Sequence, residues 1–569
     1  MALTKVLNLG LGNTDAQNNV LVGASAGDSF SGTDATDNTL IGHNVGTSIT
    51  TGDYNTAIGK GALSSSTTAP ANTAVGYNAL TTTTIGDYNT AVGTQSMDAL
   101  TTGYHNVAVG YHSLGAASAA DYNTAIGKSA LAAATTSDFN TGIGAEALEA
   151  NTTGTQNTSV GFRSLESNTT GQNLVALGAY ALQANTTANN NIAIGTYALD
   201  ANTTGSENVA LGKEALTDNT TGSSNVAIGY DALANNTTAA NNVAIGWEAL
   251  QDNTTGHSNV VIGKEAAQNQ TTGNYTTAIG DRCIGSGVVT GDHNSALGHY
   301  SLYALTEGTR NVGLGSNAAP ALTTGDDNTA VGYNTLAATT TANDNTGIGA
   351  FALAANTTGY RNVSVGSYSG DALTTGIENT YVGYVAGSSN TTSSYNTGIG
   401  KGALYATTTG ERNTSVGTNA LENNTTGDDN TAVGQGALND NTTGAENIAI
   451  GRSCMAACTT SSENVAIGKD ALKTITTAAD PSVAIGYAAL KDANNTSYNT
   501  AVGHKSMTDC TSGRANTAVG TDTLYVLTTG QRCTTVGQGA GRDVTTGDDN
   551  IGIGYNAMRT NSPSGSVST

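Results

Sequence analysis

The chain has 569 residues, of which 73 are glycine and only 5% are aromatic, a composition that argues against a thick globular core. Its formal net charge of −23 is spread over acids in different parts of the chain, and the absence of a basic cluster excludes binding through nucleic-acid phosphates. Five cysteines are too few for a disulfide framework, and no run of about 18 apolar residues predicts a membrane insertion.

Residues 1–18 precede the pattern that fills the rest of the chain. They are predicted to be an N-terminal cap or an attachment segment. The stretch MALTKVLNLGLGNTDAQ does not have the apolar core of a secretory signal, so export by the general secretory route is not expected.

Residues 19–559 repeat a unit of 17 residues. A small residue, an aliphatic residue and a glycine, as in Ala57–Gly59, recur 32 times between Gly23 and Gly554, and 28 of the 31 intervals between these glycines are 17 residues long. The exceptions are one interval of 19 and two of 18, the size of a small loop insertion. Self-similarity at a short fixed period is typical of a solenoid, in which each unit packs only against its neighbours. A β-solenoid of 32 repeats is therefore predicted.

The unit itself is predicted to be a coil of β-structure, because it is too short and too poor in helix formers for two helices. The residue before the glycine is Ile, Val or Leu in all 32 copies, and a small residue usually precedes it. Successive strand side chains face opposite ways, so one face is aliphatic and the other is small, and we expect both to be buried. A second apolar position, usually Leu as at Leu63, predicts a second short strand, and a turn such as Asn151–Gly154 follows.

Stacked coils place equal positions above one another at about 4.8 Å, so the asparagine before each strand is predicted to form a hydrogen-bonded ladder. The predicted structural ladder over three coils consists of Asn55, Ile58, Gly59, Leu63, Asn72, Val75, Gly76, Leu80, Asn89, Val92 and Gly93. Such a stack of 32 coils would be on the order of 150 Å long.

The core inside such a coil is expected to be thin. A perimeter of 17 residues encloses little more than one Ile, one Leu and a few Ala. We therefore expect several chains to share apolar faces, most simply three, which gives a homotrimeric rod. Side-by-side and intertwined arrangements of the three chains both fit the pattern. After the last repeat, the Ser, Gly and Pro content of residues 560–569 predicts a flexible tail.

Residues with catalytic or metal-binding chemistry do not recur in a common arrangement. The seven histidines fall at variable positions of different repeats, and neither a phosphate-binding loop nor a zinc-protease motif is present. Cys283 and Cys454 occupy the small-residue position three after the glycine, which favours replacement of Ala or Ser over a zinc site. We predict no catalytic residue, no cofactor, no metal and no enzyme activity.

Three acidic turns with the sequence TTGDDN suggest a test for calcium, because hard cations favour clustered oxygens. The copies span residues 323–328, 425–430 and 545–550. They lie several coils apart and cannot stack on one another, so ordinary turn chemistry is the favoured interpretation.

Aromatic residues at the variable position after the glycine are candidates for weak, repeated contacts with surface glycans. They include Tyr77, Tyr111, Phe162, Tyr230 and Trp247. A flat threonine array for ice binding is disfavoured, because the residue after the ladder asparagine alternates between Thr and Val, as at Thr56 and Val107.

Two families share this kind of repeat. The segments SVAIG at Ser482 and NVAIG at Asn225 and Asn464 resemble the head repeats of trimeric autotransporter adhesins, which form left-handed β-rolls in a trimer. The longer unit NTAVGYNALTTTTIGDYNTAVG from Asn72 is similar to repeats of bacteriophage tail fibres. The opening MALTKV is similar to the start of phage tail fibres and tailspikes, where the N-terminus attaches to the virion.

The resemblance implies a structural fibre shaft of a phage tail or virion that extends toward a bacterial cell surface and helps adhere to it. The expected partners are two further copies of the chain, other tail or virion proteins at the N-terminus, and host surface glycans; the expected location is the virion. The main alternative is a cellular, extracellular filament or adhesin built by self-assembly of β-solenoid units. A hydrolytic tailspike is a third hypothesis, which requires paired carboxylates in a groove.

Overall fold

The computed structural model describes residues 17–30, 34–476 and 481–559. These residues form 32 strands and contain no helix, and therefore none long and apolar enough to cross a membrane. The predicted all-β solenoid with 17-residue coils is thus confirmed. Most of the predicted N-terminal segment and the predicted C-terminal tail lie outside the described residues.

Each strand has three residues. In chain order, β1 to β32 are Val20–Val22, Thr39–Ile41, Thr56–Ile58, Thr73–Val75, Thr90–Val92, Val107–Val109, Thr124–Ile126, Thr141–Ile143, Thr158–Val160, Val175–Leu177, Ile192–Ile194, Val209–Leu211, Val226–Ile228, Val243–Ile245, Val260–Ile262, Thr277–Ile279, Ser295–Leu297, Val312–Leu314, Thr329–Val331, Thr346–Ile348, Val363–Val365, Thr380–Val382, Thr397–Ile399, Thr414–Val416, Thr431–Val433, Ile448–Ile450, Val465–Ile467, Val483–Ile485, Thr500–Val502, Thr517–Val519, Thr534–Val536 and Ile551–Ile553.

The chain divides into two units by its internal contacts. The first comprises Met1–Arg282 with Val288–Thr290, and the second Cys283–Gly287 with Gly291–Thr569. The first unit holds β1 to β16 and the second β17 to β32. Within each unit, every strand pairs in parallel with the next one along the chain, in a register that superposes equal positions of the repeat, for example Thr56 on Thr73 in β3 and β4.

Positions are numbered here from the repeat glycine, which is position 0. This glycine ends each strand because its backbone is one that other residues rarely adopt: φ is 130° at Gly59, and a Cβ there would overlap the carbonyl oxygen of Gly76 in the next coil. A corner follows at position +4, where Leu63 and Leu80 have left-handed φ values of 51° and 52°. Because a left-handed residue cannot continue a strand, the prediction of a second short strand was wrong.

The core of most coils is built from small residues and one Leu. In the coil of β3, the strand centre Ala57 and the corner residue Leu63 are fully buried, whereas Ile58 keeps 38% of its surface exposed. The prediction that both strand faces are buried was therefore wrong: the small residue faces inward and the aliphatic residue outward. The physical reason is space, since Leu63 fills the narrow interior and leaves room only for Ala beside it.

The ladder asparagines at position −4 lie in a buried, hydrogen-bonded column. The Asn72 backbone N–H donates to Asn55 Oδ1 at 2.9 Å, and the Asn89 N–H donates to Asn72 Oδ1 at 2.9 Å. Each side-chain amide also donates to a turn carbonyl of its neighbourhood, as Asn72 does to the Gly86 oxygen at 2.9 Å. Each asparagine thus joins successive coils and satisfies a buried turn.

A second column runs through position +7. Here Asn168 Nδ2 donates to Asn151 Oδ1 at 2.8 Å and to the Gly171 oxygen at 3.1 Å. Beside it at +8, threonine hydroxyls donate to the carbonyl of the equivalent residue in the next coil, as Thr152 does to Thr169 at 3.0 Å. These two columns were not predicted from the sequence, where NTTG was interpreted only as a turn.

One strand centre departs from the small-residue rule. Tyr381 is fully buried in β22, and its hydroxyl hydrogen-bonds to Asn379 and Asn390. Two coils make room for the ring, because Gly370 and Gly387 stand at +4, where most other coils have Leu. The volume of the Tyr381 ring thus replaces the volume of the two side chains that are absent at Gly370 and Gly387.

Candidate functional site

In each unit, the outward positions −3 and −1 of the strands form a surface that we call the strand face. It is partly exposed to solvent: Ile58, Leu297 and Ile450 keep 38%, 45% and 38% of their surface. The chain carries 20 Lys and Arg and 43 Asp and Glu, yet none of them stands at an outward strand position. Apart from Ser295 at −3, these positions hold only Thr, Val, Ile or Leu. An exposed, continuous surface without charge is typical of an interaction site.

The strand face is also rigid. Most of its side chains are β-branched and have few χ1 rotamers, and the paired strands beneath hold them at a fixed spacing. A binding partner would therefore immobilise few additional side-chain torsions. This surface was not predicted from the sequence, because the aliphatic residue was assigned to the core. The signal that could have identified it is the absence of charged residues from two positions in every repeat.

The five aromatic candidates for glycan contacts are exposed, as expected for a surface role. Their exposed fractions lie between 41% and 51%: Tyr77, Tyr111, Phe162, Tyr230 and Trp247. A basic side chain lies against the ring of four of them, with the pairs Lys60–Tyr77, Arg163–Phe162, Lys213–Tyr230 and Lys264–Trp247 at 4.7–5.8 Å from the ring centre. These rings therefore already make cation–π contacts within the chain, which compete with any ligand for the same face.

A longer aromatic arrangement occupies position +12 of successive coils, which we call the +12 column. The rings of Tyr88, His105, Tyr122 and Phe139 stack in this order, with centroid distances of 5.0, 5.0 and 5.2 Å. Tyr104 packs edge-on against His105 at 5.6 Å. The spacing of the rings follows the spacing of the coils, so the backbone presets a stacked column on the surface.

The three TTGDDN turns are explained by contacts with the preceding coil. The first aspartate accepts a backbone N–H, as Asp326 does from Thr309 at 2.7 Å. The second forms a two-point ion pair with an arginine one coil earlier, as Asp327 does with Arg310 at 2.7 Å on both oxygens. This arginine lowers the pKa of Asp327. The same pair recurs as Arg412–Asp429 and Arg532–Asp549, so turn chemistry accounts for the motif.

One cluster of carboxylates has a spacing suited to a metal ion. Oxygens of Glu146, Glu149 and Glu166 lie within 4.8 Å of one another. However, Glu146 pairs with Arg163 at 2.7 Å and with Lys128 at 3.2 Å, and these two cations lower its pKa. Burial raises the pKa of Glu149. The cluster is thus part of an ion-pair network in which Lys128 and Arg163 offset two of the three carboxylate charges.

The five cysteines are buried, and none of them forms a disulfide. Cys283 and Cys454 occupy the small-residue position in the core, and Cys458 and Cys510 replace the asparagine at +7. Burial raises the pKa of Cys454 to about 12, so its thiol is protonated at neutral pH and unreactive as a nucleophile. These positions indicate a packing role.

Comparison with protein-family models and with curated proteins finds no match to this chain. The resemblance to fibre repeats therefore rests on the sequence motifs.

Proposed function

We propose that the chain is the shaft of a phage tail or virion fibre, built from three copies that bury their strand faces against one another. The observation that carries the proposal is the exposed strand face without charge, since a monomer would leave it in contact with water. The motif resemblance to phage tail fibres supports the location on a virion. The shaft holds an adhesive element at a distance from the particle and toward the bacterial cell surface.

The extent of the strand face is sufficient for a stable interface. In one unit, 16 strands at about 4.8 Å and three residues of about 3.3 Å cover about 750 Å². A standard interface buries about 800 Å² on each partner, and each of the two units carries its own strand face. Association needs no new secondary structure, because the strands are formed before the copies meet.

The stiffness of the proposed shaft follows from the hydrogen bonds between its coils. Within each unit, every strand pairs with the next one, and in most coils the ladder asparagine and, in many, the threonine at +8 add hydrogen bonds to a neighbouring coil. These bonds run between neighbouring coils, so bending would stretch many of them together. The fold is therefore suited to transmitting position and force rather than to catalysis.

Sedimentation of the purified chain tests the proposal. We expect a particle of about 170 kDa, three times the 56.7 kDa chain mass. The double variant Ile194→Lys/Ile262→Lys places charges on the strand face and is expected to sediment as a monomer with an unchanged circular dichroism spectrum. The matched control Thr187→Lys/Thr255→Lys adds the same charges at exposed turn positions and should leave the trimer intact. A monomeric, folded parent chain would contradict the proposal.

Electron microscopy separates the proposed fibre from its main alternative. The fibre predicts discrete particles with three-fold symmetry and antibody labelling of appendages on virions. A cellular filament predicts continuous polymers from the purified chain alone and labelling of cells that carry no virus. The two hypotheses differ in particle length and in location. Images of the purified chain, of labelled virions and of labelled virus-free cells therefore decide between them.

A further inference from the structure

Between Tyr54 and Tyr88, position +12 carries no ring. Tyr54, Ala71 and Tyr88 occupy +12 in three consecutive coils, with φ values of 59°, 57° and 54°. Because their backbones are alike and stacked in register, the side chains leave the surface in the same direction. Ala71 thus leaves a slot between two tyrosines, which are 65% and 56% exposed.

The width of this slot follows from the spacing of the coils. Neighbouring rings of the same column, Tyr88 and His105, lie 5.0 Å apart. Two coil spacings therefore place the Tyr54 and Tyr88 rings about 10 Å apart. A group at the centre of the slot would lie about 5 Å from both rings, within the distance of about 6 Å over which a cation is attracted to a ring face.

The same coil also leaves a carboxylate without its usual donor. At position +11, an aspartate normally accepts the backbone N–H of the +11 residue one coil earlier, as Asp53 does from Thr36 at 2.7 Å and Asp121 from Tyr104 at 2.9 Å. For Asp87 the corresponding residue is Pro70, which has no N–H. Within the described part of the chain, the Asp87 carboxylate makes no hydrogen bond or ion pair.

The chemistry of the slot favours a cation over a neutral ring. Two tyrosine faces and an uncompensated carboxylate both attract positive charge, and the chain as a whole carries a net charge of −23. The molecule itself contains the same kind of contact, since Lys264 lies 4.7 Å from the ring centre of Trp247 one coil away. A ligand ammonium in the slot would repeat this contact on two sides.

We propose that Tyr54, Ala71, Tyr88 and Asp87 form a binding site for an organic cation with a methylated ammonium group, such as choline or a choline headgroup. The ammonium takes the place of the missing ring, and Asp87 balances its charge. Pro70 contributes because it has no backbone N–H that could donate to the Asp87 carboxylate. The site uses none of the strand-face positions, since Tyr54, Ala71 and Tyr88 stand two residues before position −3.

Calorimetric titration of the full-length chain with choline chloride tests the site. The variant Ala71→Tyr should abolish binding, because it completes a column that already accommodates tyrosine at 54, 88 and 122. Asp87→Asn and Pro70→Ala are each expected to weaken binding about three- to ten-fold, the first by removing the charge and the second by giving Asp87 an amide partner. The control Tyr395→Ala removes an exposed tyrosine at +12 elsewhere and should change nothing.

Two further binding experiments determine the chemical class of the ligand and whether it is a lipid headgroup or a soluble molecule. Methyl glucoside, which is neutral, should not bind; if it binds in place of choline, the proposal of a cation site is overturned. Phosphatidylcholine vesicles should retain the parent chain in a sedimentation assay if a headgroup fits the slot, whereas binding of free choline alone assigns the site to a soluble ligand. Choline binding that survives Ala71→Tyr would also overturn the proposal.

Discussion

Two regions of the first unit use the buried +7 position in different ways. Between residues 151 and 253 every coil has Asn there, and the amides form a continuous column, as between Asn185 and Asn202 at 3.1 Å. Between residues 49 and 134 the same position holds Ile49, Ser66, Thr83, Leu100, Ala117 and Ala134. One fold thus accepts either a polar column or an apolar, irregular one at the same place.

The two regions differ in how completely the buried polar atoms at +7 are hydrogen-bonded. Within the asparagine column each Oδ1 accepts from the next coil, but the Oδ1 of Asn253, whose successor is Gln270, has no hydrogen-bond partner. The isolated hydroxyls of Ser66 and Thr83 are likewise buried without a partner. Each such atom costs about 1–3 kcal/mol. In these two regions, the side-chain oxygen of a polar residue at +7 is satisfied only where the next coil supplies an amide of the same length.

The largest effect is expected from breaking the polar column at its centre. Asn202→Leu removes three hydrogen bonds, to Asn185, to the Gly205 oxygen and from Asn219. We expect a local loss of about 4 kcal/mol, because the partners stay buried. Since coils of a solenoid can open separately, hydrogen exchange of peptides over residues 185–219 is the appropriate measurement. Thr204→Ala, at an exposed site, is the control; equal exchange in both variants would refute the column's role.

The reciprocal change places an amide in the apolar region. Leu100→Asn loses buried apolar surface, and its Oδ1 would meet Ala117, which offers no side-chain donor. We expect a loss of about 3 kcal/mol in the same exchange assay. Adding Ala117→Asn gives that oxygen a donor and should recover about 1 kcal/mol. A double variant no more stable than the single one would show that ladder continuity is not the deciding factor.

A smaller effect separates two adjacent threonines. Thr83 Oγ1 is buried without a partner, whereas Thr84 Oγ1 donates to the Thr101 oxygen at 3.1 Å. Thr83→Val should stabilise its coil by about 1 kcal/mol, because the substitution keeps the shape and removes an unsatisfied hydroxyl. Thr84→Val should destabilise by a similar amount. If hydrogen-exchange protection changes in the same direction for both variants, the different roles of the Thr83 and Thr84 hydroxyls are contradicted.

The sequence predicted the coil length and its stacking, because a fixed period is directly visible in the glycine spacing. It did not predict which strand face is inside. In a strand with Ala57 at its centre and Ile58 beside it, both faces are free of charge, so the alternation does not reveal which one is covered. Leu63, at the left-handed corner, fills the interior of the coil, so the aliphatic strand residue faces outward. The sequence does not indicate a left-handed backbone when the residue is Leu. The slot at Ala71 likewise became visible only when the coils were placed in register.

A pH-dependent effect is expected in the polar region. Burial raises the pKa of Asp200 from 3.8 to about 6, and its Oδ1 has no hydrogen-bond partner. A raised pKa means that the folded chain binds the proton more tightly than the unfolded chain, so stability should decrease as pH rises from about 4 to about 6 and then remain level. Asp200→Asn should remove this slope in exchange measurements around residue 200, whereas Glu207→Gln, at an exposed site, should retain it. A slope that persists in Asp200→Asn would assign the titration to another group.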